Sequence, residues 1–299
     1  MGSSTQRALI FTTVSATCFG IMAFAAKLAS AQLTGPQVAC VRFAFGLLPC
    51  LLIPAYRRLA FQFQRTDLLL IRGFFGGLTV LLYFAAIAHI NVGVATLLNY
   101  TAPLFSGVFS VLFIGERISA KVLLPLPVAL AGVYLVVHAH AHPGDILGFG
   151  RWELCALAGA VCSGLAVTTI RAARRSENSW SVYASFNLFG FFVCLPFSFP
   201  WHVPERSTFT ALAATATFAI GGQLLMTFSL RWVDAMTVGV ISQLAVIVSM
   251  FLGATLLHET IPPMAAVGAM LTISGVLGVV YVTTLKKRVA AIGEVAPET

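Results

Sequence analysis

The chain has 299 residues, of which 59% are hydrophobic and only 9% charged, and its mean hydropathy is +0.93. A soluble domain carries about a quarter charged residues, so this composition excludes an ordinary soluble enzyme or binding module and points to an integral membrane protein. The net charge of +8 gives no reason to expect nucleic acid as a partner, because the basic residues sit in short clusters beside apolar stretches rather than along one solvated face.

A bilayer-crossing helix needs roughly 20 predominantly apolar residues. In chain order, such windows are 8–30, 37–56, 68–88, 93–114, 121–139, 153–173, 180–200, 208–230, 237–257 and 264–284. They lack the polar-apolar alternation of a transmembrane barrel and are apolar on all faces, as in VATLLNYTAPLFSGVFSVLFI. The expected fold is therefore an all-α integral membrane protein of ten transmembrane helices. With the N-terminus in the cytoplasm, all of the 18 basic residues except Lys27, Arg42, Arg151 and Arg206 fall on the cytoplasmic side or, for Arg72, near it. The positive-inside rule thus favours an even number of spans with both termini cytoplasmic. The first window has Arg7 ahead of it and Ala29, Ser30 and Ala31 behind it, which resembles a cleavable signal peptide. Its length, Lys27 just before the cleavage point and an internal match favour a retained span.

That match is an offset. Shifting by 144 pairs Cys18 and Gly20 with Cys162 and Gly164, and Phe45, Gly46 and Cys50 with Phe189, Gly190 and Cys194. Shifting by 143 pairs Ala102, Ser106, Glu116, Ile118, Gly132 and Val133 with Ala245, Ser249, Glu259, Ile261, Gly275 and Val276. The chain divides into five-helix units, 8–139 and 153–284, followed by a tail, 285–299. Because five is odd, the second unit enters the membrane upside down relative to the first, giving an inverted repeat.

No hydrolase elbow, metalloprotease helix, P-loop or dinucleotide fingerprint is present, so neither an enzyme nor a bound cofactor is expected. All six histidines lie at window ends or in loops, and the six cysteines have no metal-ligand spacing. The run His138, His140 and His142 suits a metal by ligand type, but no cysteine or acidic cluster beyond Asp145 completes a first shell, so a polar loop is preferred and no metal site is assigned.

Polar side chains facing lipid are costly, so those within the windows should face the bundle or a wet cavity. They are Tyr83, Asn99, Tyr100, Gln223, Ser242 and Gln243. The 143 offset aligns Asn99 with Ser242 and Tyr100 with Gln243, and paired positions of inverted repeats converge where substrate sites lie. Amides and hydroxyls there suit the carboxylate and amine of a zwitterion. Interhelical hydrogen bonding, typically about 0.6 kcal/mol each, is the competing role. The glycines Gly73, Gly76 and Gly77 are read as helix-packing positions. Lys27 is expected to snorkel to the outer interface, and Arg42 either snorkels or attracts anions. No acidic residue falls at the midplane, which argues against a buried proton relay.

A run ending in Gly115, Glu116, Arg117 and Ile118, preceded by Pro103, followed by Ala131 to Val133, and echoed by Glu259, Ile261 and Ser274 to Val276, resembles the drug/metabolite transporter superfamily, EamA branch. Within it the chain looks most like the bacterial YddG-type exporters of aromatic amino acids. That resemblance implies an inner-membrane exporter of amino acids working by alternating access, with the lipid bilayer and small molecules as partners. Drug or other metabolite export and, in another class, a pore stand as alternatives; monomer and homo-oligomer both stay open. The second half departs at His258, Thr260 and Val246, where the first has Pro103, which weakens the expectation of equivalent local roles. Inversion puts Glu116 and Glu259 at opposite faces, where each is expected to cap the helix that follows and to act as the strut of a gate.

Overall fold

Segments with no polar face can satisfy their backbone in lipid only by coiling, and among the described residues the regular elements are all helices. The structure is a computed structural model describing residues 3–114, 124–140, 145, 148–173, 176–201, 203–229, 232 and 235–293. The first half runs α1 (Ser3–Ala29), α2 (Gly35–Leu52), a short α3 (Pro54–Ala60), α4 (Thr66–His89), α5 (Val92–Asn99), α6 (Ala102–Ile114) and α7 (Pro125–His138). The second runs α8 (Arg151–Ala173), α9 (Ser179–Cys194) with a 3-10 turn Leu195–Ser198, α10 (Arg206–Ser229), α11 (Ala235–Ser242), α12 (Leu244–Leu256) and α13 (Pro263–Gly293). Eight segments among the described residues are long and apolar enough to cross a membrane, with two shorter apolar helices at Pro125–His138 and Pro263–Val279.

The windows 93–114 and 237–257 are each two helices rather than one. Pro103 has no amide hydrogen and its ring collides with the carbonyl four residues back, so the helix breaks at Tyr100 and Thr101. Across this break the pairing tightens to the 3-10 pattern, Thr101 N–H to Leu98 O (3.2 Å) and Leu104 N–H to Thr101 O (2.9 Å). The second half repeats it with Gln243 N–H to Val240 O (3.2 Å) and Val246 N–H to Gln243 O (3.0 Å), although Val246 replaces the proline. The expectation that losing the proline would make the two places locally different is therefore corrected for the backbone.

Helix starts follow the same offset. Thr34 caps α2 in a reciprocal box with Gln37, and 144 positions on Asn178 caps α9 by accepting from the Trp180 and Ser181 amides. Helices pack mainly across the halves: α1 on α10 and α4 on α8, α1 on α12 and α6 on α8, α4 on α9 and α2 on α10. In each pair of contacts the halves exchange roles, while α2 meets α9 and α7 meets α13 directly. The core lies at this shared seam, around Phe43, Phe84, Ile87, Leu97, Leu98 and Val246. Small residues set the spacing between α4 and α9: a Cβ on Gly77 would lie 2.7 Å from the Gly190 Cα, and one on Gly73 would lie 2.6 Å from the Phe189 side chain.

Candidate functional site

The two helix breaks touch. The buried Gln243 side chain donates from Nε2 to the Tyr100 carbonyl oxygen at 3.4 Å, joining the positions that the offset pairs. Asn99, the last residue of α5, is buried beside them. Its Nδ2 has no hydrogen-bond partner among the described residues and lies 3.1 Å from where a Cβ on Gly159 of α8 would stand. At both breaks one half-helix ends and another begins, and helix ends leave backbone carbonyls and amides without intrahelical partners.

The remaining predicted residues divide. Tyr83 is buried, and its hydroxyl pairs at 2.8 Å with the Thr96 hydroxyl, which itself donates to the Val92 carbonyl; the group ties α4 to α5. Ser242 donates to the Val238 carbonyl of its own helix at 2.7 Å. Gln223 is half-buried on α10 with its backbone carbonyl accepting from the Thr227 hydroxyl, and among the described residues no hydrogen bond ties its side-chain amide to the break. Glu116 lies outside the described residues.

Two arginines that the sequence places toward opposite faces lie together at one aromatic ring, that of Phe186. Arg42 of α2 and Arg72 of α4 are 5% and 8% exposed. The Arg42 Cζ lies 4.8 Å from the Phe43 ring centroid and 5.2 Å from that of Phe186, and the Arg72 Cζ lies 4.4 Å from the same Phe186 ring. Gly76 makes the room, since a Cβ there would stand 2.8 Å from the Phe186 ring and collide with Arg72 Nη1. Tyr100, at the first break, is close enough for its phenol to feel the Arg42 charge, as is Tyr183. Among the described residues neither arginine has a carboxylate partner, and Arg42 Nε and Nη1 and Arg72 Nε have no hydrogen-bond acceptor. Cation–π contact contributes about 2 kcal/mol when desolvated, against several kcal/mol per ion for burial. The snorkelling alternative for Arg42 is thereby overturned. Window counting could not find this pair, because it measures position along each helix and not which helices adjoin.

The ends of α4 are held by charged side chains. Lys27 does not snorkel; its Nζ donates to the Ile90 carbonyl at 2.8 Å. Two residues on, the Val92 amide donates to both Glu259 oxygens at 3.1 and 3.0 Å. Glu259 therefore caps α5 in the other half, not α13 that follows it. Asn91 donates to the Thr260 carbonyl at 3.1 Å, and within 3.5 Å it meets Nε2 of His140, whose Nδ1 donates to the Val136 carbonyl. Burial raises the Glu259 carboxyl above its ordinary value, while the Val92 amide and the charges of Lys27 and His140 pull it down. At the other end of α4, the buried Glu177 accepts from the Gln64 amide at 2.8 Å and from the Arg65 amide, while Asn178 and Ser181 donate to the Leu59 carbonyl. By sequence Glu177 is only a loop acid; its buried role needs the α3–α4 turn brought against the start of α9. His142 is outside the described residues, and among those described no three His, Cys, Asp or Glu side chains gather as a metal site.

An all-helical membrane chain whose two halves repeat their breaks, caps and partners is a transporter architecture. Residues 6–138 and 150–281 both match the EamA-like transporter family, and the chain belongs to that family, within the drug/metabolite transporter superfamily. It is a multi-pass membrane transporter. It is 27% identical over 231 residues to the pseudopaline exporter CntI of Pseudomonas aeruginosa strain UCBPP-PA14, covering 77% of this chain and 80% of the relative. The CntI of strain PAO1 is 30% identical over 178 residues, 60% of this chain and 61% of that one. These relatives bear out the family but not specifically a likeness to YddG-type exporters of aromatic amino acids. A solved crystal structure superposes with a TM-score of 0.63 at 21% identity, covering 94% of this chain and 98% of that chain, a likeness of fold.

Proposed function

We propose that the protein exports small amino-acid-like metabolites across a bacterial inner membrane by alternating access. In this reading ten spans form two inverted five-helix repeats, 8–139 and 153–284, with both termini and the tail 285–299 cytoplasmic. The observation that carries it is the contact between the two helix breaks at Tyr100 and Gln243. Discontinuous helices meeting between repeats are where transporters of this plan bind substrate, because broken helices leave backbone donors and acceptors free inside the membrane. Asn99, Tyr100 and Gln243 are assigned to the substrate. Tyr83 and Ser242, whose hydroxyls are already engaged, are assigned to the scaffold, and Gln223 of α10 is given no substrate contact. Glu259, clasping α5 from the opposite half, is assigned to the outer gate, and Glu116 by the repeat to the inner one.

The test is uptake of labelled phenylalanine, threonine and methionine into liposomes holding the purified protein. Saturable, counterflow-stimulated uptake of any of them supports the reading and excludes a pore. A second reading, export of another small metabolite, is favoured by the likeness to the pseudopaline exporters. It gains if no amino acid competes while a culture overproducing the protein enriches one metabolite in its medium.

A further inference from the structure

The polar side chains at the helix breaks are neutral, yet Arg42 stands near Tyr100 and shares the Phe186 ring with Arg72, and among the described residues neither arginine has a counterion. We infer that Arg42 and Arg72 form the anion subsite of the exported molecule, so that its substrates carry two carboxylates. The inference rests on the exporter reading and narrows its substrate class.

Both guanidinium carbons lie within 5.2 Å of one ring centroid, that of Phe186. They are therefore within about 10 Å of each other, where like charges repel in a medium poorer in dielectric than water. Their aromatic contacts offset only part of the cost of holding two ions out of water. A purely structural arginine in a membrane bundle pairs with an acid or with backbone carbonyls. Here Nε of both and Nη1 of Arg42 are buried with no acceptor among the described residues. Their missing partners are oxygen acceptors carrying negative charge, and the flat fork of a guanidinium matches a carboxylate in two parallel hydrogen bonds.

Two arginines against no acid among the described residues call for two carboxylates at this subsite, with any ammonium of the substrate held away from the guanidiniums. The neighbouring groups suit the rest of such a molecule. The Asn99 amide offers an unused donor, the start of α6 presents a positive helix end beside Tyr100, and Phe43 and Phe186 accept an aliphatic linker. The pair comes from α2 and α4 of the first half, whereas Phe186 stands on α9 of the second.

The experiment measures binding and transport separately on the purified full chain. Thermal melting is followed with glutamate, succinate, glutamine and inorganic phosphate as probes, and uptake of labelled glutamate and phenylalanine is followed in liposomes. Glutamate and succinate are expected to raise the melting temperature, with glutamine and phosphate at least tenfold weaker. R42Q and R72Q are expected to lower glutamate affinity tenfold or more, with R42K between them and wild type. Without ligand, both glutamine variants should melt no lower than wild type, since each removes an uncompensated buried charge; a structural arginine would lower it. Should a variant not fold, the wild-type ranking of glutamate over glutamine still decides. Equal stabilisation by glutamine, stabilisation by phosphate alone, or unchanged affinity in the variants overturns the inference. Saturable phenylalanine uptake without dicarboxylate binding sinks the subsite and leaves the exporter; glutamate binding without uptake of any probe does the reverse.

Discussion

Gln243 and Tyr100 occupy the same place in two halves of one chain, and the amide of the first donates to the carbonyl of the second at 3.4 Å. The contact is long for a hydrogen bond, and the carbonyl belongs to a backbone that no longer continues its helix. Such a pair is easily exchanged for a ligand. Q243A should leave the Tyr100 carbonyl without its partner, a penalty of about 1–3 kcal/mol for a buried group if the pair serves the fold alone. If it serves substrate, the initial uptake rate should fall at least about tenfold, the equivalent of 1.4 kcal/mol, while folded yield changes little. N99A should behave the same way. Comparing uptake with size-exclusion yield for both variants separates these outcomes, and parallel losses would return the residues to the scaffold.

The seam between α4 and α9 gives a steric prediction. Gly77 faces the Gly190 backbone with no room for a Cβ, whereas Gly107 and Gly221 have open space within 4 Å. G77L should destabilise the protein by about 1–3 kcal/mol through overpacking, seen as a lower melting temperature and loss of uptake. G107A and G221A should be neutral or stabilising by up to about 1 kcal/mol, the helix-propensity gain. A G77L protein that melts like wild type would mean that the helices do not meet as described.

What the sequence made legible is the part governed by period and offset. Helices, their approximate bounds and the pairing of Tyr100 with Gln243 all follow from apolar windows and one constant shift. The breaks did not, because Pro103 signals the first while Val246 hides the second; the second is visible only as hydrogen bonds shifted by one residue. The arginine pair was illegible for a different reason. Arg42 and Arg72 sit on α2 and α4, and only the packing of α9 against both brings them to Phe186. Glu259 was read as serving its own chain neighbour. Cross-half packing, which no local pattern encodes, gives it Val92 instead.

Tyr83 separates scaffold from site. Its hydroxyl is 2.8 Å from that of Thr96, which in turn bonds the Val92 carbonyl. Y83F keeps the ring and removes one interhelical hydrogen bond, so stability should fall by about 0.6 kcal/mol, as such bonds do in bilayers. Uptake per folded molecule should stay within about twofold of wild type, less than the tenfold that 1.4 kcal/mol represents. T96V also removes the bond to the Val92 carbonyl and should cost more, and the double variant should cost less than the sum of the two, since both remove the Tyr83–Thr96 bond. A selective loss of uptake in Y83F would restore Tyr83 to the substrate site.

Glu259 carries a pH signature whose sign follows from its surroundings. Its carboxyl is raised above the ordinary 4.5 chiefly by burial, against the opposing Val92 amide from α5, Lys27 from α1 and His140 after α7. A carboxyl that holds its proton more tightly folded than unfolded contributes stability that is complete below its unfolded value. That contribution is lost as pH rises through its folded value. The melting temperature of wild type should therefore fall, relative to that of E259Q, as pH is raised from about 4 to 7, the span that begins at an unperturbed glutamate. E259A removes the cap itself and should destabilise at every pH by about 0.5–2 kcal/mol. Because the capped helix belongs to the other half, E259A should also raise the accessibility of a cysteine placed at the buried Val94 of α5 to a membrane-impermeant thiol reagent, in a background without the native cysteines. Unchanged labelling together with a flat pH difference would show that Glu259 neither titrates with the fold nor holds the gate.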